Sequence, residues 1–289
     1  MISDINLNLY RVFYICSTCK SFVEASKKMC VSQPAISKQI KNLEDLLGTK
    51  LFYRESTGLI LTNDGKQLFN YIDKSYNYLM AGEKIIKENN NMDVGTIVIG
   101  APAHIASFYV LEFIKKYREK HPNVFFRIIN GTTAELLRGL EEHKIDFIID
   151  SSPINIVNKD MKIEPLVAFD TCFVTSKKNE NLKFGEQKFV MPYEKSSIRK
   201  NLEKELKKFD IELEVVLEVE TTDLIISSVK NGIGSGYVVK KSVEQEFQNK
   251  KLVELKTPYN LPKLELNLVY IEDYLTNLAR YFIKNHVKK

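Results

Sequence analysis

Cys16 and Cys19 make a CxxC, a spacing that suits a zinc knuckle or a dithiol redox centre. Zinc asks for a full tetrahedral set of ligands. The other cysteines, Cys30 and Cys172, and the histidines, His104, His121, His143 and His286, form no second CxxC or HxxxH to complete it. A redox pair opens a helix after a strand, whereas this pair falls near the end of a helix, so both read as ordinary thiols. Gly232-Ile233-Gly234-Ser235-Gly236 has the look of a phosphate loop or a nucleophile elbow. It fails GxGxxG at Tyr237 and GxSxG at Ile233. With no intact nucleophile–base pair, cofactor loop or metal spacing, an enzyme is not expected, nor is a cofactor.

A different chemistry is written between residues 32 and 54. Ser32-Gln33-Pro34-Ala35-Ile36-Ser37-Lys38-Gln39 opens a helix with small and polar groups, where a recognition helix meets base edges. Gln33 can bond adenine bidentately, Ser32 and Ser37 can meet bases, and the Ala35 methyl can touch a thymine methyl. Lys38, Lys41, Lys50 and Arg54 suit phosphates, which position a protein without reading sequence. Residues 25–54 hold six basic side chains against two acidic ones, in a chain whose net charge is +5. A helical hairpin with a solvated basic face would carry the same charge, and charge alone favours that reading.

These groups need a scaffold. Leu7, Leu9, Tyr10, Phe13 and Tyr14 give residues 7–17 an apolar helical face. Ser21, with Glu24 three residues on, starts a short helix through Phe22, Ala25 and Met29. After Cys30-Val31-Ser32 a third helix runs from Gln33 to Leu47, with Pro34 in its first turn and Gly48 to stop it. Its expected buried stripe is Ile36, Ile40, Leu43 and Leu47. Two β-like runs, Leu51-Phe52-Tyr53 and Leu59-Ile60-Leu61, flank Glu55-Ser56-Thr57-Gly58 and read as a hairpin, hence a wing. From Thr62 to Lys87 a long helix repeats Leu68, Ile72, Leu79 and Ile86, broadened by Phe69, Tyr76 and Met80. That stripe is expected to pack on a second copy. The polar run 87–91 marks a linker.

Beyond it, strands (Thr96–Gly100, Val124–Ile129, Phe147–Asp150, Leu166–Thr175, Leu213–Val219, Gly236–Val239, Leu264–Ile271) alternate with helices (Ile105–Lys120, Thr133–Glu142, Ser197–Phe209, Asp223–Lys230, Asp273–Asn285). The rhythm predicts α/β architecture with parallel sheets covered by helices.

Residues 21–65 carry a resemblance along their whole length. Ser21-Phe22, Ala25-Ser26, Ser32–Ser37, Leu43-Glu44, Leu47-Gly48, Leu51-Phe52-Tyr53-Arg54 and Leu61–Gly65 match, at fixed spacing, the DNA-binding domain of the LysR-type regulators. Ser26 stands where a second alanine is usual, and is small enough for the same helix crossing. The resemblance continues to the C-terminus. It implies a winged helix-turn-helix over 1–62, with Ser32, Gln33, Pro34, Ala35, Ser37, Lys38, Lys41, Lys50 and Arg54 facing double-stranded DNA. A dimerisation helix and hinge would cover 63–91. An effector domain over 92–289 would hold two Rossmann-like subdomains, similar to periplasmic binding proteins: 92–165 with 268–289, and 166–267.

The resemblance also puts a small-molecule effector in the cleft between the subdomains. Thr132 with Glu135 reads as a capping box, and Ser196 or Ser197 and Thr221 or Thr222 are good N-caps. Helix starts present free N–H groups and a positive dipole end, so an anionic effector is expected. Each hydroxyl can equally do no more than cap its own helix. At the first turn the family's Ser-Pro-Thr type sequence is replaced by Pro102-Ala103-His104, which removes two ligand-gripping hydroxyls and leaves His104 to stand in. The expected effector-facing set is Pro102, Ala103, His104, Thr132, Thr133, Ser196, Ser197, Thr221 and Thr222.

A homodimer or homotetramer follows from the resemblance, and RNA polymerase is a further candidate partner. No apolar stretch approaches the ~20 residues a bilayer requires, and the opening MISDINLNLYRVF has no basic flank or unbroken apolar core. No membrane partner is expected, and the location expected is the cytoplasm. A solute-binding protein or an enzyme with a fused DNA-binding module is the rival reading; an architectural DNA-binding protein would not require the larger second half.

Overall fold

Helix α1 (Leu7–Ser17) begins where the Asn6 side chain accepts the Asn8 N–H, and buries Leu9, Val12, Phe13 and Cys16. Helix α2 (Phe22–Met29) starts at Ser21, whose hydroxyl accepts the Glu24 N–H. Glu24 reaches back past the cap to the Lys20 N–H at 2.7 Å. The computed structural model describes residues 5–55, 58–88, 93–194 and 196–288. Helix α3 (Gln33–Leu47) follows from Ser32, carries Pro34 in its first turn, and stops at Gly48 with φ +70°. Only a residue tolerant of the left-handed region ends a helix this way without strain.

Ile36, Ile40 and Leu43 are buried as the helical period predicts, but Leu47 is 37% exposed. Glu44 takes the inward place instead. Its Oε1 accepts the N–H groups of Leu51 (2.9 Å) and Phe52 (3.4 Å), and its Oε2 accepts Lys50 Nζ at 2.8 Å. A carboxylate counted in sequence as surface charge is thus the clasp between α3 and the wing. Glu44→Ala is expected to cost about 1–3 kcal/mol, the range for leaving buried donors unsatisfied. Faster hydrogen exchange at the Leu51 and Phe52 amides, with partial recovery in Glu44→Gln, checks it.

The wing is the antiparallel pair β1 (Phe52–Glu55) and β2 (Gly58–Leu61), in register Phe52↔Leu61 through Glu55↔Gly58. Ser56 and Thr57 at its tip lie outside the described residues. Thr62 then ties the wing to helix α4 (Asn63–Glu88): its hydroxyl donates to Lys50 O at 2.7 Å and accepts the Gly65 N–H at 2.9 Å. A β-carbon on Gly65 would meet Leu51 O at 2.2 Å, so this crossing admits glycine alone. The Leu-Thr-x-x-Gly spacing thereby has a physical cause.

The stripe on α4 divides. Leu68, Phe69 and Ile72 pack on the core of their own helix-turn-helix, and Tyr14 of α1 stacks on Phe69 and Tyr76. Only the later part of the expected pairing face stays outward: Leu79 is 62% exposed and Ile86 75%.

The chain forms two compact units, Met1–Glu83 and Lys84–Lys289. The second carries two mixed five-stranded sheets. In the first, β3 (Gly95–Gly100) lies between β4 (Val124–Ile129) and β5 (Phe147–Ser151), all parallel. Beyond β5 come β12 (Leu264–Ile271) and β6 (Met161–Phe169), with β12 antiparallel to both neighbours. Helix α5 (Ala103–Ile105) runs through a π-helical turn, Ala106–Val110, into α6 (Leu111–Arg118), and α7 (Thr133–Glu141) joins β4 to β5.

The second sheet has the order β11-β7-β10-β8-β9. Its strands are β7 (Thr171–Ser176), β8 (Phe189–Pro192), β9 (Val215–Val219), β10 (Ser235–Val239) and β11 (Leu252–Leu255). Helices α8 (Ser197–Leu206), α9 (Thr222–Lys230) and α10 (Glu244–Gln248) belong to the same stretch of chain, and α11 (Asn277–Phe282) follows β12.

The expected single strand Leu166–Thr175 is two strands in different sheets, broken at Asp170. The chain therefore crosses between sheets at Asp170 and returns before Leu264, not at 166 and 268. The return strand β12 runs against β5 in the first sheet, and β7 runs against β10 and β11 in the second, so neither sheet is all parallel. Strands β8 and β11, and the start of β6, are too short or too polar in pattern for the sequence to announce. Among the described residues no helix is long and apolar enough to cross a membrane.

Candidate nucleic-acid interface and effector cleft

With Ile36, Ile40 and Leu43 turned into the core, α3 exposes Ser32, Gln33, Pro34, Lys38 and Lys41, and leaves Ala35 and Ser37 half-buried. The Ser32 hydroxyl makes no capping bond to the helix it precedes. Ser37, Lys38, Lys41 and Lys50 line one surface hollow of about 560 Å³, floored by Phe22, Ile40 and Phe52. Lys50 is also held by Glu44, so part of its charge is already answered. The side chain of Arg54 lies outside the described residues. Three lysines around one hollow, beside an open helix start, form a surface able to hold phosphates while short side chains reach bases.

Cys16 and Cys19 are both buried in this unit. Burial, and secondly Cys19, pushes the Cys16 thiol up to about 12, so it stays protonated at neutral pH. Cys30 is exposed at φ +56°, in the turn between α2 and α3. The glycine-rich 232–236 run is a packed turn: a β-carbon on Gly236 would meet Ile225 at 2.4 Å, and one on Gly234 would meet Lys188 O at 2.6 Å.

In the second unit, sheet register brings the effector-facing candidates of the first sheet together. Gly100 lies opposite Ile129 and Ile148, and Asn267 opposite Asp150. The turns after β3, β4 and β5 therefore converge at the carboxyl ends of parallel strands, where ligands of α/β sheets bind. Pro102 is half-buried, and the Ala103 N–H goes to Asn130 Oδ1 at 2.8 Å. Nε2 of His104 is buried and makes no hydrogen bond. Burial pushes its imidazole down to about 4, which leaves a neutral ring.

Thr132 is spent on the capping box: its N–H and hydroxyl both donate to Glu135 Oε2 at 2.8 Å. Those bonds hold the Glu135 carboxyl below its usual range. Thr133 Oγ1 donates to Asp150 Oδ2 at 2.8 Å, and the Ser151 N–H to Asp150 Oδ1 at 2.7 Å. Asp150 is 1% exposed, and burial raises its carboxyl above the ordinary range.

From the second sheet, Ser197 Oγ lies 2.6 Å from Ser151 Oγ, and Asn201 Nδ2 donates to Ser152 O at 3.2 Å. Asn267 Nδ2 donates to Ser152 Oγ at 2.7 Å. Ser196, the N-cap of α8, makes no capping bond, whereas Thr221 caps α9 through the Leu224 N–H. Thr222 is half-buried. Thus Ser197 and Thr133 meet partners across the turns, Thr132 and Thr221 serve their own helices, and the Ser196 hydroxyl and His104 Nε2 have no partner among the described residues. Sequence reasoning missed Asp150, Ser151, Asn201 and Asn267; the only signal was a polar Asp-Ser-Ser run ending an apolar strand.

Two family models match the chain: the bacterial regulatory helix-turn-helix protein of the lysR family over residues 7–66, and the LysR substrate binding domain over residues 90–285. The RuBisCO operon transcriptional regulator of Allochromatium vinosum is 22% identical over 272 residues, covering 92% of this chain and 90% of its own. The virulence activator AphB of Vibrio cholerae has a similar fold, with TM-score 0.61 and 16% identity over 97% of this chain and 98% of its own. DarR of Vibrio fischeri, solved in complex with DNA, matches with TM-score 0.64 and 17% identity over 99% of this chain and all (100%) of its own.

Proposed function

The chain belongs to the LysR family of bacterial DNA-binding transcriptional regulators, with an effector-binding domain after the helix-turn-helix, and from that footing we propose how its parts divide the work. Helix α3 reads operator bases through Ser32, Gln33, Ala35 and Ser37, seated by phosphate contacts from Lys38, Lys41, Lys50 and Arg54. The observation that carries this reading is the open start of α3 beside the three-lysine hollow. Two chains pair through the outward face of α4, as a dimer or a tetramer built from such pairs, and so present two α3 helices to an interrupted dyad. The protein acts in the cytoplasm, where its DNA is, with RNA polymerase as a further partner and without catalysis or a cofactor of its own.

The effector is a small molecule with an anionic group, bound where the turns after β3, β4 and β5 meet the start of α8. Ser196 and Ser197 offer hydroxyls and Ser197 a helix-start N–H to that anion, while the Ser196 N–H is held by Tyr193 O at 2.9 Å. Ligand can shift the protein only by its difference in affinity between arrangements of the subdomains. Binding that replaces the Ser151–Ser197 contact changes their angle and hence the spacing of paired DNA-binding heads. Ser197→Ala is expected to weaken effector binding by roughly tenfold, the loss of about one charge-assisted hydrogen bond, and, because it also removes the Ser151–Ser197 contact, to shift DNA affinity without effector toward the effector-bound value. Calorimetry with a panel of metabolites, beside fluorescence anisotropy on operator DNA, tests both halves. Equal effector affinity in Ser197→Ala and wild type would sink the cleft assignment.

A further inference from the structure

The two walls of the cleft carry opposite electrostatic character. On the first-sheet wall, the N-terminus of α7 already faces two carboxylates: Glu135, folded back onto Thr132, and Asp150, bonded to Thr133. Asp150 is almost wholly buried; among the described residues its polar neighbours are the Thr133 hydroxyl and the Ser151 N–H, and no cationic group stabilises it. His104, in α5 after β3, is neutral and its Nε2 has no partner among the described residues. On the second-sheet wall, Ser196 leaves the start of α8 without a side-chain cap. Arg199, in the first turn, is committed to Glu203 (2.7 Å), Glu218 (2.6 Å) and Pro192 O (3.0 Å). The walls meet at Ser151–Ser197, so Asp150 and the start of α8 are one residue from a direct contact on either side.

A buried carboxylate without a counter-charge is costly, and a wall that holds it repels anions. A dianion such as sulfate or phosphate therefore finds only one favourable wall. We propose that the effector is a zwitterion of the α-amino-acid type, its ammonium on Asp150 and its carboxylate at the start of α8. This rests on the cleft assignment above and names the ligand class for it. Both ligand charges are then answered within the reach of one small molecule.

The test uses the full chain with each common α-amino acid, and with the matching carboxylic acid that lacks the amino group, read by thermal shift and then calorimetry. At least one amino acid should bind, its des-amino partner should bind on the order of 30-fold or more weakly, and Asp150→Asn should lose affinity by a similar factor. A second readout needs no ligand. A carboxyl raised by burial destabilises the fold above the ordinary carboxylate range, so Asp150→Asn should melt higher than wild type at neutral pH. That gain should vanish as pH falls below about 4, where the unfolded carboxyl is protonated too. Asp150→Ser, which keeps a hydroxyl for Thr133, replaces it should the amide misfold. No binding by any amino acid overturns the proposal, and so does a variant that melts lower than wild type at neutral pH. A des-amino acid that binds wild type and Asp150→Asn alike, but Ser197→Ala weakly, overturns it while the cleft stands. Binding indifferent to Asp150 and Ser197 together removes the cleft as well.

Discussion

Aspartate at both Leu79 and Ile86 is expected to leave a folded chain that runs as a monomer and loses roughly 10²–10⁴-fold in affinity for a two-half-site operator, the range that linking two binding modules supplies. The two residues lie seven apart on α4, within about 20° of each other round the helix, and both are exposed. An apolar face this open on a helix calls for a partner. Burying each leucine or isoleucine side chain in a pair contributes about 1.5–3 kcal/mol, and a two-fold pair buries each twice, so two charges placed there outweigh the interface. Met80 is equally exposed but points about a third of a turn away from Leu79. Met80→Asp should therefore keep the dimer, which separates loss of pairing from loss of helix. Sedimentation at micromolar concentration decides it, and a monodisperse wild-type monomer would end the argument.

The division of α4 shows what period alone can and cannot say. Apolar residues every three or four positions identified the helix and its face. The same spacing is produced by a helix packed on its own domain and by one packed on a copy, and here both occur along one stripe. What separates them is Tyr14, a residue nearly sixty positions away whose ring stacks on Phe69 and Tyr76. Glu44 hid for the same reason: the carboxylate needed two backbone N–H groups from a wing that the sequence places only approximately.

The helix-turn-helix was readable because its capping residues, its stop at Gly48 and its apolar stripe are all local. The effector sheets were readable as α/β but not as mixed, since the direction of β12 depends on where the chain has been between Asp170 and Leu264. Thr132 caps its helix, and of the alternatives Thr221 and Thr222 it is Thr221 that caps α9, although both caps were also expected to face the effector. Asp150 could not be singled out in sequence. Its burial and the bond it accepts from Thr133 depend on how α7 packs beside β5, which local sequence does not set.

Removing Lys38 and Lys41 together should flatten the salt dependence of DNA binding without altering which base pairs are preferred. Each phosphate contact releases counterions and adds about 0.9 to the slope of log affinity against log salt. If both lysines reach phosphates, the double alanine variant loses about 1.8 from that slope. Extrapolated from 1 M salt, where the release vanishes, each contact is worth about eightfold at 0.1 M, so the pair is worth about 60-fold. Lys50→Ala should do less, because its ammonium already sits 2.8 Å from the Glu44 carboxylate and part of its charge is spent within the protein. Gln33→Ala should behave in the opposite way: the slope is kept, while discrimination at one base pair falls by about 1–3 kcal/mol. Gln33 is exposed on the first turn of α3 beside the free Ser32 hydroxyl, where a short side chain can reach a base edge. Titrations of operator variants at several salt concentrations read both quantities at once. An unchanged slope in the double lysine variant would move the phosphate contacts elsewhere, and unchanged relative affinities in Gln33→Ala would take base reading away from the start of α3.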